Sequence, residues 1–359
     1  MANRQTWLTS LEAHERITVI GSGSWGTTLA LVMARKGLPV VLCTRDAAEA
    51  ARINEARQNE RFLSGYEFPP SLTATADLEV ALAIGCRMVV FVTPSGEMLA
   101  NVQLVRPWLE RLLAAPQPPV MLSATKGLEK ESLLRMTQLI EQELPQAQTA
   151  GLVCALSGPN LAKEVASGKP SATVIAGRNP AVTTLAQRLV MTTTFRVYTN
   201  IDVIGVELGG ALKNIIALGA GLADGLNAGD NSKGAFMTRG MAEIGRLGVA
   251  AGANPLTFLG LAGLGDMVAT CASQYSRNRF VGQELAKGRK LDEIRAGMQG
   301  VAEGVSTTVA ARKLAQKYGV EMPITDQLYQ LLFEHKDLLT AITDLMMREP
   351  TEEMYGFKL

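Results

Sequence analysis

The chain has 359 residues, 47% of them hydrophobic, with 35 Lys and Arg against 34 Asp and Glu. That length holds two domains with sizeable cores, and the near-neutral balance gives a nucleic acid or an acidic membrane surface no global attraction. The stretch MANRQTWLTSLEAHER lacks the apolar core of a signal peptide, no uncharged apolar run reaches bilayer-spanning length, and Cys43, Cys86, Cys154 and Cys271 have no metal-ligand spacing. The expectation is a cytoplasmic protein with reduced thiols, no metal, no nucleic-acid partner and no membrane insertion.

Seven short apolar runs follow: ITVI (17–20), VVLC (40–43), MVVFV (88–92), VMLS (120–123), LVCAL (152–156), ATVIA (172–176) and FRVY (195–198). Runs of this kind, alternating with helical stretches, predict a doubly wound α/β domain over residues 1–200 with a parallel sheet buried on both faces. Between the first strand and the first helix stands Gly21-x-Gly23-x-x-Gly26. Gly21 permits the tight turn, Gly23 lets backbone approach a pyrophosphate, and Gly26 lets helix pack on strand. This predicts a dinucleotide site. The second strand runs out as LCTRD, and Arg45 there suits the 2′-phosphate of NADP, so NADP(H) is favoured over NAD(H), with Asp46 free to cap the next helix.

Later strands end in Thr93-Pro94-Ser95, in SATKGLE with Lys126, and in LSGPNLAKE with Gly158 and Asn160. These are strand C-terminal ends, the edge at which ligands of such sheets lie. From about residue 201 the strand signals stop, and helical segments at roughly 233–251, 303–318, 324–334 and 336–348 predict an all-helical domain over 201–359.

That domain opens with LGGALKNIIALGAGLA (208–223), whose single charge is Lys213. A helix of this composition is buried, and burial lowers a lysine's pKa toward the range of a working base. His14 and His335 lie in polar surroundings and read as solvent-exposed, and no Tyr-x-x-x-Lys pair is present. Lys213 is thus the candidate to take an alcohol proton. In GLAGLGDMVATCASQYSRNRFVG (260–282), Asp266 reads either as a helix cap or as the counter-ion of Lys213. Ser276-Arg277-Asn278 offers a hydroxyl, a guanidinium and an amide to an oxyanion.

GSGSWGTTLA, SATKGLE, LSGPNLAKE, ELGGALKNIIALGAGLADGL, GLGDMVATC and YSRNR, in this order and spacing, resemble the bacterial NAD(P)-dependent glycerol-3-phosphate dehydrogenases from about residue 16 to 345. The resemblance implies a Rossmann domain followed by a helical domain like that of 6-phosphogluconate dehydrogenase. It implies interconversion of sn-glycerol 3-phosphate and dihydroxyacetone phosphate with NAD(P), in service of phospholipid synthesis. Carried over by position, cofactor contacts fall on Ser24, Trp25, Arg45, Lys126, Ala162, Arg277, Val301 and Glu303. Substrate contacts fall on Lys126, Gly158, Asn160, Lys213, Asp266, Ser276, Arg277 and Asn278, with Lys213 at the family's proton acceptor.

The sequence departs from the pattern at Asn160, where serine or threonine is usual, at Phe280 in place of a second arginine, and in the tail REPTEEMYGFKL. A homodimer is carried as the candidate assembly. The competing readings are a related dehydrogenase of another anionic hydroxy acid and a non-catalytic NADP-sensing protein.

Overall fold

The computed structural model describes residues 15–298, 300–353 and 355–356. His14 and the leading stretch lie outside the described residues. The chain forms two compact units. One comprises the residues up to Thr125 together with Met136–Val203; the other comprises Lys126–Arg135 and the residues from Ile204 on.

The first unit is a Rossmann-type sheet with helices. Its eight strands are β1 (Arg16–Ile20), β2 (Val40–Cys43), β3 (Leu72–Thr75), β4 (Cys86–Phe91), β5 (Val120–Ser123), β6 (Val153–Ser157), β7 (Ser171–Gly177) and β8 (Phe195–Asn200), in the order β3-β2-β1-β4-β5-β6-β7-β8. The order reverses between β1 and β4, the switch point where doubly wound sheets take ligands. The central strands are largely apolar, and Ile17, Val19, Met88, Val90 and Leu122 are fully buried or nearly so.

Two features differ from the expectation. The edge strand β3 has the sequence LTAT with alternating burial, because one strand neighbours it on one side only, and so it carries no apolar run. The β6–β7 pair is antiparallel. The helix between them, Ala162–Ala166, has five residues, too few at about 1.5 Å each to return the chain along the sheet. β7 therefore starts at the end where β6 stopped.

The second unit is helical. Its core helices are α2 (Val203–Gly225), α3 (Gly229–Ala250), α4 (Asp266–Ala272), α5 (Arg277–Ala286), α6 (Glu303–Tyr318), α7 (Pro323–Phe333) and α8 (Leu338–Met346), following α1 (Ser24–Arg35) of the sheet unit. Helix α2 is long and apolar enough to cross a membrane, yet 94% of its apolar window is buried. It is a core helix, packed through Leu208, Leu212, Ile215 and Ile216.

Helix α7 begins with Pro323, which has no N–H to satisfy, and its next two N–H groups donate to the Glu243 carboxylate of α3 at 2.8 and 2.9 Å. Burial pushes Glu243 up to about 7 despite those bonds. Residues 126–135, expected within 1–200, belong to the helical unit. Leu128 lies in its core, and Arg135 forms a buried ion pair with Glu207 of α2. All four cysteines are buried free thiols.

Candidate active site

In the sheet unit, the glycine turn has the geometry a dinucleotide needs. Gly21 has φ +115°, and a Cβ there would stand 2.5 Å from the Val92 carbonyl oxygen; a Cβ on Gly26 would stand 2.0 Å from the Gly21 oxygen. Neither position tolerates a side chain. Gly23 is the opposite case, because a Cβ there meets nothing within 4 Å.

Gly23 is also the N-cap of α1, with no side-chain cap and no acidic residue in the first turn. The helix thus presents free N–H groups and its positive end to open space, the arrangement that binds phosphate. On the same turn the indole Nε1 of Trp25 is buried without a hydrogen-bond partner. These residues fit NAD(P).

The remaining candidates of this unit are placed as follows. The Ser24 hydroxyl donates to the Phe62 carbonyl at 2.8 Å, and the Trp25 ring meets Phe195 edge-on at 6.4 Å. Arg45 is largely exposed, 4.0 Å from Glu97. Asp46 is a helix cap, accepting from the Glu49 N–H at 2.7 Å. Thr93 and Ser95 are buried after β4. Gly158 packs against Thr173, where a Cβ would come within 2.9 Å of its Cα. Asn160 donates to the Ala172 carbonyl at 2.8 Å, leaving its buried amide oxygen unpaired. Ala162 opens the helix that follows, and its carbonyl accepts from Thr28.

In the helical unit, Lys213 stands in the middle of α2 with 5% exposure, and Asp266 with 2%. A π-turn, Leu261–Gly265, runs directly into α4, whose first residue is Asp266. The Asp266 carboxylate does not cap that helix. One oxygen meets Lys213 Nζ at 2.9 Å and the other meets Lys126 Nζ at 2.6 Å. Of the two readings left open by the sequence, the geometry is that of the counter-ion, and it serves two lysines.

Thr270, one turn after Asp266, donates to that carboxylate at 3.2 Å and accepts from Lys213 Nζ. Burial lowers Lys213 to about 8, with Lys126 adding to the depression and Asp266 opposing it. An amine so placed changes protonation state within the range in which enzymes work.

The Ser276–Asn278 turn opens α5. The Ser276 hydroxyl oxygen caps the helix, accepting from the Arg279 N–H at 3.2 Å. The Asn278 side chain bridges three helices: its amide donates to Asn214 Oδ1 of α2 at 2.8 Å, and its oxygen accepts from Gly304 N–H of α6 at 2.9 Å. Arg277 is exposed, with its guanidinium against Gly300. Val301 is 47% exposed, and Glu303 is the first residue of α6. His335 is exposed in a left-handed turn.

Sequence reasoning missed Thr270, Asn214 and the Arg135–Glu207 pair. Of these only Thr270 carried a signal, its i+4 spacing from Asp266 on a helix.

The comparisons with known proteins agree on one family. Family models described as the N- and C-terminal parts of NAD-dependent glycerol-3-phosphate dehydrogenase match residues 16–183 and 202–343. A glycerol-3-phosphate dehydrogenase (NAD(P)+) of Dehalococcoides mccartyi is 47% identical over 344 residues, covering 96% of this chain and 94% of its own. Another from Geobacter sulfurreducens is 47% identical over 342 residues, covering 95% and 99%. The crystal structure of the Coxiella burnetii glycerol-3-phosphate dehydrogenase superposes with a TM-score of 0.85 at 37% identity, covering 93% of this chain and 99% of that one.

The glycine turn of the sheet unit is shaped for a dinucleotide, and the helical unit holds a lysine lowered to about 8 beside a buried carboxylate. The chain belongs to the NAD(P)-dependent glycerol-3-phosphate dehydrogenase family, oxidoreductases that act on a CH–OH group.

Proposed function

We propose that Lys213 is the proton acceptor in the oxidation of sn-glycerol 3-phosphate, with Lys126 and Asp266 as its catalytic partners. The observation that carries this is a single buried carboxylate shared by two lysines, one of them depressed to about 8. When bound, NAD(P) supplies the hydride acceptor in this direction and the hydride donor in the other. Lys213 in its neutral form takes the C2 hydroxyl proton as the carbonyl forms, and its ammonium returns a proton to the carbonyl oxygen in the reduction of dihydroxyacetone phosphate. Lys126 donates a hydrogen bond to the same oxygen and stabilises the charge developing on it. Asp266 orients both amines, and its charge keeps Lys213 from losing its proton at still lower pH.

The substrate phosphate is assigned to the Ser276–Asn278 turn. Arg277 offers a planar fork matched to phosphate, the Ser276 hydroxyl keeps its proton to donate, and one amide hydrogen of Asn278 remains. Gly158 and Asn160 are assigned to the substrate as well. Ser24, Trp25, Lys126, Arg45, Ala162, Arg277, Val301 and Glu303 are assigned to the cofactor, with the exposed Arg45 guanidinium favouring NADP(H). The role is supply of glycerol 3-phosphate for phospholipid synthesis by a cytoplasmic homodimer; the free thiols support the compartment.

The test is steady-state turnover of Arg277→Ala with dihydroxyacetone phosphate and with dihydroxyacetone. Binding energy from the phosphate positions C2, so dihydroxyacetone is a very poor substrate of the parent enzyme. With the cofactor saturating, so that a lost Arg277–cofactor contact does not enter, the variant should lose about tenfold or more in kcat/KM on the phosphorylated substrate and distinctly less on dihydroxyacetone. An equal loss on both substrates removes the turn from phosphate recognition.

A further inference from the structure

The helical unit contains a cavity of about 460 Å3 walled by α2, α3, α7 and α8. Its volume lies within the range of small-molecule sites, roughly 300–1,000 Å3. The apolar wall is made chiefly by Leu222, Phe236, Leu328, Leu331, Leu338 and Leu345, aliphatic surface with the Phe236 ring, and Tyr355 adds a second ring. Helix α8 covers it loosely. Ala341 is the one fully buried residue of that helix, while Leu339 and Met346 are 65% and 78% exposed.

Three carboxylates line the cavity: Glu243 is held by the α7 N–H groups, Glu321 is paired with Arg348, and Glu349 is exposed. Two arginines of α3, Arg239 and Arg246, line it too. They are seven residues apart and so share one face of the helix. Among the described residues neither forms an ion pair. Arg239 donates to the Glu353 carbonyl at 2.8 Å and Arg246 to the Glu321 carbonyl at 3.4 Å, whereas the neighbouring Arg348 is paired with Glu321 at 3.1 Å. Partial burial holds Arg246 below its ordinary value, with Arg239 adding to the depression and Glu243 and Glu321 opposing it. Gln327, on the same wall, has its buried amide oxygen without a hydrogen-bond donor; turned over, the amide presents N–H groups to an anion.

We propose that this cavity is a binding site for a single-chain fatty acyl anion, with the chain along the leucine wall and the head on Arg239 and Arg246. Long aliphatic walls with a guanidinium pair at one edge match a flexible chain ending in one carboxylate. The site is built entirely within the helical unit and does not use Lys213, Lys126, Asp266 or the Ser276–Asn278 turn, so it stands or falls apart from the proton-transfer assignment.

The experiment is titration calorimetry of the full-length protein with octanoate, decanoate and dodecanoate, each below its micelle-forming concentration. One ligand should bind per chain, up to roughly fourfold tighter for each methylene added. Arg246→Ala should weaken dodecanoate about tenfold or more and leave uncharged dodecanol unchanged. Ala235→Trp, at an exposed helix position lining the cavity, should abolish both, with folding of each variant checked by thermal melting. Absence of saturable binding, affinity independent of chain length, or unchanged binding in Ala235→Trp overturns the proposal. A parent protein that binds no dodecanoate and whose self-association is broken by Ala235→Trp overturns it in favour of a second copy on this face.

Discussion

The two units handle charge in opposite ways. In the sheet unit the one charged side chain classed as buried among the described residues is Glu15, and the phosphate-ready turn is made of glycine backbone and a helix end. The helical unit buries Arg135, Glu207, Lys213, Glu243, Asp266 and Glu284. Backbone N–H groups carry partial charge that costs nothing to place, so a polyanionic cofactor can be gripped without an ionised side chain. Moving a proton requires a group that changes charge, and tuning it requires taking that group out of water. The contrast teaches that a turn of glycine backbone can be shaped for a phosphate without burying charge, whereas a group that is to change protonation state has to be desolvated.

The sharpest way to break this contrast is Lys213→Ala. Loss of a general base or acid lowers rates about 100- to 10,000-fold, while cofactor affinity measured by fluorescence titration stays near that of the parent. A variant that keeps more than about a tenth of the parent rate refutes the assignment.

Gly23→Ala probes the other unit. Its Cβ enters open space, so the melting temperature should hardly move, yet the methyl group occupies the approach to the helix N-terminus. Cofactor affinity should fall about ten- to a hundredfold, the equivalent of one or more charge-assisted hydrogen bonds. Unchanged affinity would mean that the turn is only structural.

The pH profile sharpens the role of buried charge. If Lys213 is the proposed proton acceptor, glycerol 3-phosphate oxidation draws on its neutral form, and its rate should climb about tenfold per pH unit up to about 8 and then level. Dihydroxyacetone phosphate reduction needs the ammonium and should fall above the same midpoint. Asp266 raises the Lys213 value, and Asp266→Asn should therefore shift both midpoints to lower pH. Midpoints that stay put in the variant would separate the titration from this pair.

The smallest expected effect is at Arg45, which is exposed and screened. Arg45→Ala should weaken NADPH relative to NADH by about tenfold, because NADPH alone carries a 2′-phosphate. Equal losses for the two cofactors point to stacking instead.

Most of the sheet unit was legible because its signals are local. Seven of the eight strands, all but β3, read directly from apolar runs that a doubly covered sheet demands, and the glycine spacing lies within six residues (21–26). β3 escaped because an edge strand need not be apolar, and the reversal at β7 because direction depends on how far a connection travels. In the helical unit, the isolation of Lys213 was visible in sixteen residues (208–223), but its partners were not equally so. Asp266 stood as one of two readings, and nothing in the sequence joined it to Lys126, 140 residues away.

The sequence by itself determined the class of each unit, the place of the dinucleotide turn and the anomaly of one lysine in an apolar helix, since periodicity, glycine conformation and desolvation act within a few residues. Tertiary structure alone decided that residues 126–135 leave the sheet unit for the helical one, and that one carboxylate is shared by two lysines. It alone set Glu243 as the cap of α7 and gave the Asn278 amide to Asn214 and Gly304. Each of these depends on contacts between residues far apart in the chain, to side chains or to backbone N–H groups. Their energy depends on distance and on the loss of water, quantities that do not exist until the helices have packed.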